Sequence, residues 1–166
     1  MENKELLKTG DILLCRSHSL LSKLIRKATK SHWSHTAHVV DIWGEMYVVE
    51  AQISGVDPKS WDNWVKKYNY EWVAIRNPRM GDEREFCKRS FSLVGVTGYD
   101  LVTFLIRHPW RIITGSWRNQ KNDNKKMICS QYTAWCHSIP VSDRLVPDDV
   151  ARYAEEKNWD EITMSV

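Results

Sequence analysis

The sequence predicts an α+β domain in which a small antiparallel β-sheet packs against helices. The chain has 166 residues, the usual size of one domain, and 42% of them are hydrophobic while 27% are charged. Short apolar runs bounded by turn residues occupy about residues 12–76, whereas helical periodicity dominates the later part. No internal repeat or low-complexity tract divides the chain. We therefore expect a single domain over residues 1–166.

The predicted strands lie in the first half of the chain and alternate with turn signals. They are Ile12–Leu14 after the turn Gly10-Asp11, Ser34–Trp43, Met46–Ala51, and Glu71–Arg76 before Asn77-Pro78. The second and third of these strands flank Gly44-Glu45, so they are expected to form a β-hairpin.

The predicted helices follow the 3.6-residue period. The first is Ser19–Thr29, with Leu20, Leu21, Leu24 and Ile25 on one face. The second is a short helix opened by Asp57-Pro58, with Trp61, Trp64, Val65 and Tyr68 on one side. The others are Asp82–Val94, Tyr99–Ile106, Ile128–Ile139 and a last helix opened by Pro147. Arg118–Lys126 is the most polar stretch and is expected to be a loop, a candidate lid over a site. The C-terminal tail carries no pattern.

Charge, hydropathy and cysteine usage argue against a membrane-spanning, a secreted or a disulfide-bonded protein. The formal net charge is only +3, no apolar run approaches the length of a membrane span, and the first nine residues lack the apolar core of a signal peptide. We therefore expect a cytoplasmic protein, unless a non-classical route exports it. The four cysteines form no C-x-x-C pair and are expected to be free thiols.

Cys129 has the best position for a nucleophile among these cysteines. It opens the predicted Ile128–Ile139 helix directly after the polar loop. A helix N-terminus offers free N–H groups and a partial positive charge, which lower the pKa of a thiol and can stabilise an oxyanion. Cys136 lies two turns further on and lacks this position. The competing interpretation is that Cys129 is a small buried residue without chemistry.

A thiolate nucleophile needs a histidine base and a group that orients the histidine. With a two-residue loop at Trp43-Gly44 or Gly44-Glu45, His35 and Glu50 share one face of the hairpin. The Trp43-Gly44 loop places them diagonally, with backbones roughly 7–8 Å apart, a gap that a glutamate can span. A three-residue loop would place them on opposite faces. Glu50 also ends an apolar run, where a carboxylate needs a partner.

Several motifs in this order resemble a known superfamily. They are Gly10-Asp11-Ile12-Leu13, Ser34-His35-Thr36-Ala37-His38-Val39, Val48-Val49-Glu50-Ala51 with Gly55-Val56, Gly98-Tyr99-Asp100 and Ile128-Cys129-Ser130. Together they resemble the circularly permuted branch of the NlpC-type papain-like cysteine hydrolases. The likeness covers about residues 8–152 and points to the YiiX-like members, with lecithin:retinol acyltransferase as a more distant relative.

The resemblance implies a permuted papain-like fold and a set of site residues. It implies Cys129 as nucleophile, His35 as base, Glu50 as orienting residue and Tyr99 as a donor near the oxyanion. His38 departs from the superfamily pattern, in which that position is usually aliphatic, and so raises the question of which histidine is the base. Strand alternation places His38 on the opposite face from His35, which favours His35.

The expected chemistry is acyl transfer to a thiol without a cofactor. We expect hydrolysis of an amide or peptide, including cell-wall-type peptides, through an acyl-thioester. The alternative is acyl transfer or thioester hydrolysis on a lipid substrate. A groove of Trp43, Trp61, Trp64 and Trp72 would suit acyl chains, although core packing is the simpler interpretation of these tryptophans.

Two non-enzymatic alternatives remain. One is a metal site formed by His32, His35 and His38 with Cys129, although spacing by three suits a helix better than a strand. The other is a nucleic-acid-binding module, which basic residues near two aromatic ones would suit. Its residues are Arg107, Arg111, Arg118, Lys121, Lys125 and Lys126 beside Trp110 and Trp117. A solvated loop is the simpler interpretation of this second pattern.

Overall fold

Six antiparallel strands form one sheet in the computed structural model of the protein, which describes residues 4–68, 70–96, 127–140 and 145–164. The strands are Ile12–Arg16 (β1), His35–Ile42 (β2), Glu45–Gln52 (β3), Gly55–Ser60 (β4), Glu71–Arg76 (β5) and Asp160–Met164 (β6). Their order across the sheet is β4-β3-β2-β1-β5-β6. The predicted α+β class with an antiparallel sheet is confirmed.

Five helices accompany the sheet within the described ranges. They are Leu20–Thr29 (α1), Trp61–Lys67 (α2), Glu83–Ser92 (α3), Cys129–Cys136 (α4) and Pro147–Glu156 (α5), besides a short 3₁₀ turn at Lys4–Leu6. Ser19 caps α1 as its sequence suggests, because its hydroxyl accepts the N–H of Ser22 at 3.1 Å. None of these helices has the length and apolarity needed to cross a bilayer. The predicted helix Tyr99–Ile106 and the predicted loop Arg118–Lys126 lie outside the described residues.

The two faces of the sheet have separate cores. One face packs against α2, and the buried residues of this core include Leu13, Cys15, Ala37, Val39, Val48, Trp61, Trp64, Trp72 and Ala74. The other face packs against α3, α4 and α5, and its buried residues include Ile12, Leu14, Val40, Val49, Phe86, Tyr132 and Val150. Successive residues of one strand alternate between the cores, as the pleat requires.

The β2–β3 hairpin turns at Trp43-Gly44, one of the two loops that the sequence left open. Ile42 pairs with Glu45, and both loop residues have positive φ, 54° for Trp43 and 86° for Gly44. This is the geometry of a type I′ turn, whose twist matches that of the flanking strands. Gly44 fits this turn because it has no Cβ, and its N–H is bonded to the Asp41 carboxylate at 2.7 Å.

One prediction about secondary structure is wrong, and one strand was not predicted. Asp57-Pro58 does not open a helix: both residues belong to β4, and the helix begins at Trp61. Pro58 is accommodated there because β4 is an edge strand and needs no donor on its outer side. The C-terminal tail, which shows no pattern, contributes β6 along β5.

A buried ion pair ties the start of β1 to β5. The Asp11 side chain is fully buried, and Arg76 donates to both of its carboxylate oxygens at 2.7 Å. The Lys8 N–H donates to the same carboxylate at 2.8 Å. Gly10 has φ 87°, a left-handed conformation that favours glycine, and a Cβ there would also displace the Met80 side chain.

Candidate active site

The hairpin brings His35 and Glu50 into direct contact. Because the loop is Trp43-Gly44, continuing the β2–β3 register places Glu50 opposite Ala37, on the same face as His35. The His35 Nε2 and Glu50 Oε2 atoms are 2.8 Å apart. The Glu50 side chain is fully buried, and that of His35 is 14% exposed.

Glu50 is a buried carboxylate with several donors. Gln52 Nε2 donates to Oε1 at 2.6 Å, Trp64 Nε1 donates to Oε2 at 3.3 Å, and Lys59 Nζ lies 3.6 Å from Oε1. An unpaired buried carboxylate would be strongly destabilising. These donors, together with His35, compensate the lost hydration and fix the orientation of the carboxylate.

Cys129 is the first residue of α4 and is 5% exposed. Its helix is held against the sheet by a hydrogen bond of 3.0 Å between the hydroxyls of Thr36 and Thr133. The Ser130 hydroxyl donates to the Leu145 carbonyl at 2.7 Å, which fixes the first turn. The N-terminus of α4 is therefore anchored where it meets the start of β2.

The backbone of β2 supplies a donor to the Cys129 sulfur. In a two-residue hairpin Ile42 and Glu45 form a hydrogen-bonded pair, so every second N–H of β2 points toward β3. The Thr36 N–H is one of these, but the β2–β3 ladder ends at the pair His38–Val49. The released Thr36 N–H instead faces the Cys129 sulfur and, like the Ser130 N–H, lowers the pKa of the thiol. Early separation of the two strands thus creates the space and the donor for the thiolate.

The electrostatics favour a thiolate–imidazolium pair. Burial opposes ionisation of Cys129, but the charge and hydrogen bond of His35, with the two backbone N–H groups, lower the pKa of the thiol below its usual value. Burial also opposes protonation of His35, but Cys129 and then Glu50 raise the pKa of its imidazole to about 10. Between these pKa values the sulfur is negative and the ring positive. Since Nε2 faces Glu50, Nδ1 is the nitrogen available to Cys129.

The other three thiols lack this environment. Burial raises the pKa of the Cys15 thiol and that of the Cys87 thiol above the usual value. It raises the pKa of the Cys136 thiol to about 12. All four cysteines are free. Cys136 lies on the same helix as Cys129 but two turns further on, away from the N–H groups of the helix start.

His38 lies apart from His35, Glu50 and Cys129, on the opposite face of β2. It is fully buried, and its ring lies 5.2 Å from that of Tyr132 and 5.7 Å from that of His137. Neither ring nitrogen of His38 has a hydrogen-bond partner among the described residues. Burial and the neighbouring His137 lower the pKa of His38 well below its usual value, so it is neutral.

A cleft of about 480 Å³ opens beside His35. Its walls come from α1, from the β3–β4 turn and from Tyr68 and Tyr70, and they are mostly apolar. The Tyr70 ring stacks on the imidazole of His35, with centroids 6.0 Å apart and planes inclined by 26°.

Sequence reasoning missed three groups that support the site. Gln52 was detectable, because it follows Glu50 by two residues and therefore shares its face. The role of Trp64 depends on packing of α2 across the sheet, which no local pattern indicates. Asp148 at the start of α5 accepts hydrogen bonds from the N–H groups of His32 and Trp33 at 2.8 and 3.0 Å, which fixes the loop before His35.

Other expectations are corrected or untested. The tryptophan groove is wrong: Trp61, Trp64 and Trp72 are core residues, and Trp43 is fully exposed. Tyr99 lies outside the described residues, and so does the basic and aromatic segment proposed for nucleic acid.

Comparison with known proteins adds a fold relationship. No protein-family model and no curated protein matches the sequence. Among solved structures, the chain is similar to the metalloprotein YiiX from Escherichia coli O157:H7 (DUF1105), with 23% identity and a TM-score of 0.58. The fold is YiiX-like. The match covers 80% of this chain and 66% of that chain, slightly less than two thirds of the length of YiiX.

A metal centre is not assembled by the residues that the structure describes. Within 4–68, 70–96, 127–140 and 145–164, no three His, Cys, Asp or Glu side chains converge as metal ligands require. The proposed set of His32, His35, His38 and Cys129 is split, because His35 and His38 lie on opposite faces of β2.

Proposed function

We propose that the protein is a cysteine hydrolase in which Cys129 is the nucleophile, His35 the general base and Glu50 the residue that orients the base. The observation that carries this proposal is the polar contact of His35 with both Glu50 and the Cys129 sulfur at a helix N-terminus. A nucleophile, a base and an orienting acid in hydrogen-bond contact form the recurring arrangement of thiol acyl-transfer enzymes.

The first half-reaction forms a thioester. His35 Nδ1 takes the proton of the Cys129 thiol, and the thiolate attacks the substrate carbonyl carbon, whose π electrons move to the oxygen. When the tetrahedral intermediate collapses, the imidazolium gives its proton to the departing amine. The Cys129 N–H has no partner within α4, because it belongs to the first turn, and it is placed to stabilise the oxyanion. Tyr99 is proposed as a second donor.

The second half-reaction releases the acyl group. His35 removes a proton from water, the hydroxide oxygen attacks the thioester carbon, and the protonated His35 returns its proton to the Cys129 sulfur as the carboxylic acid leaves. Glu50 holds the imidazole in the tautomer that leaves Nδ1 free and stabilises its positive charge. Another nucleophile in place of water would make the same site a transferase.

We further propose a circularly permuted papain-like architecture spanning residues 1–166 as one domain. In support, the order along the chain is base, acid and then nucleophile. The substrate class that we favour is an amide or peptide. The hydroxyl groups of Ser34 and Tyr70, two residues that line the cleft, offer hydrogen bonds to an amide or peptide.

An ester or thioester of an acyl chain is the second candidate substrate. The specific observation in its favour is the apolar lining of the cleft, with Ile25, Ala51 and Ile53 beside the two tyrosines. Fold alone does not choose between these substrates. The same thioester intermediate would form from either one.

The experiment is to incubate the protein with a panel of acyl amides, peptides and acyl thioesters, and to follow product release and intact mass. We expect an acyl adduct on Cys129 and complete loss of turnover in Cys129→Ala. Cys136→Ala is the matched control, since it removes a buried thiol from the same helix, and it should retain turnover. Unchanged turnover in a folded Cys129→Ala would contradict the proposal.

A further inference from the structure

The outer face of α1 is apolar where a surface helix is usually polar. Leu20 and Leu24, one turn apart, are 80% and 62% exposed. The face of α1 that packs on the protein carries Ser22 and Thr29, both buried, and the half-buried Ile25. The sequence predicts Leu20, Leu24 and Ile25 on one face, and in the structure the two leucines of this set face outward while Ile25 is half-buried.

Cations flank the exposed leucines. Lys23 and Lys27 are exposed and lie one turn from Leu20 and Leu24 on the helix surface. The helix contains no acidic residue. Exposed leucines bordered by lysines are the pattern of helices that lie in the interface of an anionic bilayer, where the leucines enter the acyl region and the lysines meet phosphates.

The position of α1 connects this surface to the cleft. Ser22 and Ile25 of α1 line the cleft beside His35, and Ile53 lines the same cleft. Ile53 lies in the β3–β4 turn and is 58% exposed. Apolar side chains thus border the cleft at the end of the sheet where His35 lies, whereas the exposed Trp43 lies at the opposite end of the same hairpin.

We propose that Leu20, Lys23, Leu24, Lys27 and Ile53, here called the docking rim, bind the surface of an anionic lipid bilayer. Docking brings the mouth of the cleft to the interface. Charge complementarity favours anionic lipid over a neutral surface, and the apolar residues favour a bilayer over free anions. A single short helix and one turn residue give reversible attachment rather than insertion.

The first test uses Cys129→Ala protein, so that binding is measured without turnover, and vesicles of phosphatidylcholine with or without phosphatidylglycerol. We expect sedimentation with the phosphatidylglycerol vesicles, weakened by salt. Leu20→Ser/Leu24→Ser should weaken binding by about tenfold or more. Val65→Ser and Trp43→Ser remove exposed apolar residues elsewhere and should leave it unchanged. Equal loss in the Trp43 variant would overturn the assignment.

The second test separates charge placement from total charge. Lys23→Glu/Lys27→Glu should abolish binding to the anionic vesicles. Lys88→Glu/Lys157→Glu changes the net charge by the same amount at exposed sites outside α1, and this variant should retain most of the vesicle binding. No binding to anionic vesicles by the folded protein would overturn the proposal. Failure of the docking proposal is distinguishable from failure of the proposed function, because the thiol reactivity of Cys129 is measured in a separate experiment without lipid.

Discussion

The buried carboxylate of Glu50 should set the upper pH limit of the thiolate–imidazolium pair. Glu50→Gln keeps the size of the side chain and one acceptor oxygen but removes the charge beside His35. A hydrogen bond to a charged group contributes about 1.5–3 kcal/mol, and ~1.4 kcal/mol corresponds to one pKa unit. The pKa of the imidazole should therefore fall from about 10 to roughly 8–9.

The sign follows from the direction of the change. His35 holds its proton in the folded protein up to about pH 10, and the ion pair is lost as pH rises through that value. Without the Glu50 charge the imidazolium loses its proton, and the ion pair is lost, at a lower pH. The lower end of the pH range of the ion pair, where the Cys129 thiolate becomes protonated, does not rise. The ratio of the ion pair to the neutral pair should fall about 10–100-fold.

The assay is an NMR titration of the His35 ring nitrogens in histidine-labelled protein. Asp57→Asn is the matched control, because Asp57 pairs with Glu50 across β3 and β4 but its side chain is half-exposed. It should leave the midpoint unchanged. Cys129→Ala should lower the midpoint further than Glu50→Gln, since Cys129 makes the larger contribution. A midpoint near pH 10 in folded Glu50→Gln would refute the reasoning.

The other predictions concern stability and use urea unfolding. Burial and then the charge of Arg89 lower the pKa of His137 from 6.5 to about 3. Below pH 6.5 the unfolded chain therefore binds a proton at His137 that the folded protein does not bind, and the free energy of unfolding falls as the pH drops. His137→Phe should reduce the loss between pH 7 and pH 5 by about 2 kcal/mol; an unaltered pH dependence would contradict it. Arg76→Met leaves Asp11 buried without its partner and should destabilise by about 3 kcal/mol or more. Arg152→Met, which breaks an exposed pair, should have little effect, and equal losses in the two variants would refute this prediction.

The hairpin shows how much of the site local rules predict. Strand alternation and a two-residue loop are sufficient to place His35 and Glu50 on one face, and the structure has that loop at Trp43-Gly44. Sequence left the loop length open, because Trp43 is an unusual residue for a positive φ. The helix start at Cys129 was equally visible, since it follows from a polar segment and a 3.6-residue period.

What the sequence does not predict depends on contacts between distant segments. Pro58 reads as a helix start, and only its place on the edge strand β4 explains why it fits a sheet. The leucines of α1 show helical spacing, but spacing does not reveal which face the protein covers. The contact of Trp64 with Glu50 depends on how α2 packs across the sheet. The role of the Thr36 N–H depends on where β2 and β3 separate.

The most direct test of the thiolate–imidazolium pair is iodoacetamide alkylation across pH 5 to 9, with each cysteine mapped by mass spectrometry in the native protein and in His35→Ala. We predict that Cys129 alone reacts well below pH 7, because its pKa is lowered while those of the other three thiols are raised. His35→Ala should remove that reactivity. If Cys129 titrates like the other thiols, or if His35→Ala leaves its reactivity intact, the central claim is wrong.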